Sequence, residues 1–109
     1  MNSVQAWRVA LDDFIAELRG VYGSRMDSVV LYGSRARDDA SPQSDIDTLV
    51  VLDPCGDFWV EFEHISPIAS RVSLRHDVVI SALPVDRLEL REATSPHLLN
   101  ARREGVRVA

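Results

Sequence analysis

VVLYGSRARDDASPQSDIDTLVVL, residues 29–52, is the stretch that decides the fold of this 109-residue chain. It opens on a short apolar run, Val29 to Tyr32, of strand length, and that run stops abruptly at Gly33-Ser34. The segment from Arg35 to Ser44 is polar, rich in Asp, Ser and Arg, and contains Pro42, which predicts a turn of helix followed by a loop. Ile46 to Leu52 is a second β-branched, apolar run, closed at Asp53-Pro54 because a residue before proline avoids the helical region. Strand, helical turn, loop and strand therefore follow one another within two dozen residues.

Two chemical features coincide in this stretch. A strand that ends in Gly-Ser at the start of a helical turn presents free backbone N–H groups, and Gly33 lets a phosphate approach without a Cβ in the way. Asp45 and Asp47 stand two apart on the next strand, so the period of two turns both carboxylates to one face. Like charges that close resist joint ionisation unless a cation intervenes, and hard oxygen ligands of this kind suit Mg²⁺ carrying substrate phosphates. Asp77 opens the next apolar run, where a neighbouring strand would bring it near the pair. With it a two-metal site is expected, ions about 3.5 to 4 Å apart activating the attacking oxygen and stabilising the leaving pyrophosphate. Either feature alone is more often a plain turn or a solvated edge; their occurrence in this order carries the argument.

Outward from this centre, Val4, Trp7, Leu11, Phe14, Ile15, Leu18 and Tyr22 recur at three and four, the stripe of an amphipathic helix with Ser3 as its cap and Gly20 and Gly23 as its stop. Phe58, Phe62, Ile65, Ile68, Ala69 and Val72 repeat the spacing behind Asp57 as N-cap, and Pro67 is expected to kink or divide that helix near Ser66. Asp77 to Ile80 is the third strand, and Pro84 to Arg91 a further helical piece. Ser95 caps a last helix with Pro96 in its first turn and Gly105 at its end, leaving Val106 to Val108 as an extended tail. Alternation of strands and helices predicts an α+β or mixed α/β fold, a small mixed β-sheet with helices packed on it.

The length is that of one domain, expected to run over residues 1–109. A net charge of -5 argues against a DNA-binding role, since phosphate backbones are held by clustered cations. All twelve cations are arginine, so any cationic contact to a phosphate must use the guanidinium fork. The single Cys55 excludes an intrachain disulfide, the N-terminus has no signal-peptide pattern, and no apolar run approaches bilayer length, which together predict a cytoplasmic protein without membrane attachment. His64, His76 and His97 lack metal-ligand spacing and read as surface or capping residues.

The string GSRARDDASPQSDIDTLV resembles the signature of the DNA polymerase β-type nucleotidyltransferase superfamily, and its compact layout is similar to the minimal nucleotidyltransferases of prokaryotes. The resemblance implies that Gly33 and Ser34 hold the triphosphate of ATP, that Asp45 and Asp47 bind Mg²⁺, two ions in all, and that Asp77 completes the catalytic set. Arg37 matches a nucleotide-binding arginine that in the family is commonly followed by glycine; here Asp38 follows. Members of this size often act as antitoxins, inactivating a HEPN ribonuclease toxin by adding AMP to one of its tyrosines. The resemblance thus implies a protein adenylyltransferase with a toxin as partner and a hetero-oligomer of the two. Transfer to a small molecule or RNA end, or a non-catalytic antitoxin that masks its partner, are the alternatives.

Overall fold

A computed structural model describes residues 3–41, 43–93 and 95–109, with the backbone alone for residues 3–5. Pro42, assigned by sequence to a loop, lies outside the described residues. The elements run α1 (Ser3–Tyr22), a 3₁₀ turn (Gly23–Arg25), β1 (Met26–Tyr32), α2 (Ser34–Arg37), β2 (Ile46–Leu52), α3 (Phe58–His76), β3 (Ile80–Asp86), α4 (Arg87–Glu92), α5 (Pro96–Glu104) and β4 (Val106–Arg107). They build a mixed four-stranded sheet in the order β3-β2-β1-β4. β1 pairs antiparallel with both β2 and β4, while β2 and β3 are parallel and joined by α3 as the crossover.

Alternation along the strands gives the sheet two faces. Val29, Leu31, Ile46, Val50, Leu52, Ile80 and Ala82 meet Trp7, Leu11, Phe14 and Leu18 of α1 and Ile65 and Val72 of α3 in the larger core. Leu49, Val51 and Val85 face the other way and meet Ala101 of α5, with Leu90 and Leu98 packed around them. The tail predicted after Gly105 adds to the sheet: the Val108 N–H donates to the Val29 carbonyl and the Val29 N–H to that of Ala109.

One carboxylate enters the interior. Glu61 accepts from Arg25 at 2.6 Å, from the Tyr22 hydroxyl at 3.3 Å and pairs with His64 at 3.0 Å, which ties the 3₁₀ turn to the first turn of α3. Burial pushes its carboxyl up, but the hydrogen bonds from Arg25 and His64 outweigh that and hold it below the usual range. Burial and the Glu61 charge together push the Tyr22 hydroxyl up to about 12.

Several elements differ from the sequence expectation. Ser3 lies within α1 rather than capping it, and Gly20 is inside the helix, so the stop is Gly23, at φ 54°. Pro67 sits within a continuous α3. Its ring removes one intrahelical donor, yet Ile65, Ile68, Ala69 and Val72 are all buried around it, and tertiary packing outweighs the local loss. β3 begins at Ile80, three residues later than predicted, and contains Pro84, which had marked the start of a helix. An edge strand tolerates proline, since one side of its backbone has no partner to supply. The helix after it is shorter, opening at Asp86, whose carboxylate accepts from the Leu88 N–H. Among the described residues no helix is long and apolar enough to cross a membrane.

Candidate active site

β1 ends at Tyr32, and Gly33 turns the chain with φ 72° and ψ -155°, a conformation a side chain strongly disfavours. The Gly33 carbonyl accepts from the N–H groups of Ala36 and Arg37 at 3.1 and 3.2 Å, and Asp38 at φ 61° closes the short helix. The N–H groups of Ser34 and Arg35 come ahead of the first helical bond, where a helix meets an anion.

Antiparallel pairing sets Tyr32 opposite Asp47, which brings the second carboxylate of the Asp-x-Asp pair beside this turn. A Cβ built on Gly33 would lie 2.5 Å from Asp47 Oδ2. Glycine is thus required twice, by the backbone and by the carboxylate it faces. Asp45 precedes β2, exposed, while the Ile46 N–H anchors the strand on the Val79 carbonyl at 2.8 Å. Burial pushes the half-buried Asp47 carboxyl up, and the charge of Asp45 pushes it further; Arg37 and His97 oppose the shift without reversing it. A glycine turn with free backbone N–H groups thus stands directly against the half-buried Asp47 carboxylate.

A nucleotidyltransferase domain model matches residues 13–96. The chain belongs to the nucleotidyltransferase family. Two proteins of Methanocaldococcus jannaschii assigned as protein adenylyltransferases are 34% and 33% identical to it, the alignments covering 68% and 67% of this chain and 68% and 73% of theirs. Among solved structures, a Sulfolobus solfataricus protein assigned as a nucleotidyltransferase superposes with a TM-score of 0.62 at 18% identity, over 98% of this chain and 86% of the other. A toxin–antitoxin complex crystallised with AMP-PNP gives 0.59 at 18% identity, over 88% of this chain and 70% of that one. These neighbours share the mixed sheet and its helices.

The remaining predicted residues of this nucleotidyltransferase divide. Arg37 is exposed and hydrogen-bonds Asp39 at 3.3 Å and Glu104 of α5 at 3.4 Å. Asp77 is the C-cap of α3, left-handed at φ 54°, its N–H returned to the Ser73 carbonyl. It lines a cavity of about 450 Å³ with Ser70, Ser73 and Leu74, and among the described residues no three His, Cys, Asp or Glu side chains come together to hold a metal ion. Asp45 and Asp47 are brought together, and Asp77 is not joined to them.

Two residues near Asp47 have no signal in the sequence. His97, in the first turn of α5, meets the Tyr32 ring edge-on with centroids 5.5 Å apart, and burial followed by the Asp47 charge pushes the Tyr32 hydroxyl up. Their placement depends on how α5 returns over β1, which no local spacing records.

Proposed function

We propose that this nucleotidyltransferase moves AMP from Mg²⁺-ATP to a protein acceptor, a tyrosine of a HEPN-type toxin with which it forms a hetero-oligomer, and so acts as its antitoxin. The contact between Asp47 and Gly33, with Asp45 alongside, carries the reading. The donor set is hard oxygen, and Asp47 is half-buried beside the charge of Asp45, so burial first and that charge second disfavour its ionised form; a divalent cation fits such a pair. Gly33 and Ser34 then hold the triphosphate, Asp45 and Asp47 the Mg²⁺, and Arg37 the nucleotide by its guanidinium. Mg²⁺ held there would supply positive charge against the phosphates and the leaving pyrophosphate. Asp77 is the acid the sequence puts third in the set, but in this structure it caps α3 and stands apart from Asp45 and Asp47.

The likeness to relatives assigned as protein adenylyltransferases supports a protein acceptor, and the fold shared with toxin–antitoxin complexes supports the partner. Incubation with α-labelled ATP, Mg²⁺ and the cognate toxin is expected to label the toxin and raise its mass by one AMP. A toxin left unlabelled by folded protein sinks the proposal. Two observations favour a second reading, an antitoxin that neutralises by binding: Asp77 caps a helix, and Arg37 is engaged by Asp39 and Glu104. Asp47→Asn separates the two, because an enzyme loses neutralisation in cells and a masking protein keeps it.

A further inference from the structure

A cavity of about 570 Å³ lies away from Asp47. Its floor includes Leu11 and Leu31, which belong to the α1 side of the sheet, whereas Asp47 and its partner Tyr32 point to the α5 side. Arg8 of α1, Arg35 of α2 and Arg107 of β4 line it. The volume is that of an ordinary small-molecule site.

The two nearer arginines are arranged unusually. Their guanidinium carbons lie 5.1 and 4.9 Å from the centroid of the same indole, Trp7, so two like charges are gathered on one ring. Asp12 and Asp38 line the cavity too, yet no ion pair between either acid and either arginine is found among the described residues. Arg35 spends one donor on the Ser44 carbonyl at 3.2 Å, and its Nε is buried with no hydrogen-bond partner. The Nε is sealed from the cavity, but only one terminal nitrogen is used on Ser44, and the terminal nitrogens of a guanidinium are shaped for the oxygens of a phosphate.

The geometry points to a second ligand site here, for a phosphate monoester: the phosphate oxygens accept from Arg8 and Arg35 between them, and the carboxylates of Asp12 and Asp38 accept from hydroxyls on the rest of the ligand. An inorganic phosphate satisfies the first half of this arrangement, a sugar phosphate such as AMP both halves.

Trp7 reports on the site directly. In a Trp59→Phe background Trp7 is the sole indole, because the chain has two tryptophans. With EDTA present to suppress metal-dependent binding at Asp45 and Asp47, titration with AMP is expected to change Trp7 emission saturably, with inorganic phosphate binding more weakly. Arg8→Gln, an exposed position that leaves the fold intact, should weaken AMP by about tenfold, the loss of one charge-assisted contact. Asp47→Asn should leave the titration unchanged. Calorimetric titration of the unmodified protein with AMP in EDTA gives a second measure. No saturable signal by either method, undiminished binding in Arg8→Gln, or loss of binding in Asp47→Asn would each overturn the assignment, and none of them bears on whether the protein transfers AMP.

Discussion

The two faces of β2 make a sharp contrast within one strand. Ile46, Thr48, Val50 and Leu52 point to α1 and α3 and are sealed; even the Thr48 hydroxyl is satisfied, donating to the Ser81 carbonyl at 3.0 Å. Asp47, Leu49 and Val51 point the other way, under α4 and α5. The covering helices differ in length: 20 and 19 residues on the first side, 6 and 9 on the second. The long helices bury their face from end to end, while on the other face, under the shorter ones, Asp47 stays half-buried and Asp45 just ahead of the strand is exposed. Alternation divides the strand between stability and chemistry.

The contrast breaks most severely on the sealed side. Phe14 of α1 is wholly buried, and Phe14→Ala is expected to lose about 3–5 kcal/mol in urea unfolding, while the molecules that remain folded keep their transfer activity. Gly33→Ala strikes the boundary: a left-handed backbone and a methyl group against the Asp47 carboxylate should cost about 1–3 kcal/mol and abolish transfer together.

Asp47→Asn sharpens the contrast by moving stability and activity in opposite directions. The folded-state carboxyl is raised, so its ionised form is disfavoured by folding. That penalty is fully present above the folded value and disappears as pH falls below the unfolded value. Without metal, the variant should therefore melt higher than the wild type at neutral pH, and the gap should close in acid while transfer is absent throughout. The smallest effect is expected at the exposed Arg37. Arg37→Gln should leave the melting temperature unchanged, since exposed ion pairs are weak, and raise the KM for nucleotide.

Much of this was legible in the sequence because it is local. The stripe from Trp7 to Tyr22, the run into Gly33-Ser34, the Asp-x-Asp run and the Ser95-Pro96 start of α5 each announce themselves by spacing or capping, and all four stand in the structure. Pro67 and Pro84 misled because local preference was overruled, by a buried helix face in one case and by a free sheet edge in the other. Asp77 looked like the first residue of a strand, but the chain spends residues 77–79 leaving the helix, with Asp77 in the left-handed cap. The pairing of Tyr32 with Asp47 and of His97 with Tyr32 are properties of register and of helix return, and a sequence does not display them.

The pairing of β4 with β1 has a kinetic consequence. β1 and β2 are joined by a short segment and pair across a modest loop, whereas β4 must come back to β1 after every other element has been made. Closing the longer loop forfeits more chain entropy before any contact rewards it, so β4 is expected to dock late, after the folding barrier. Weakening that seam should quicken unfolding and leave the folding rate nearly untouched.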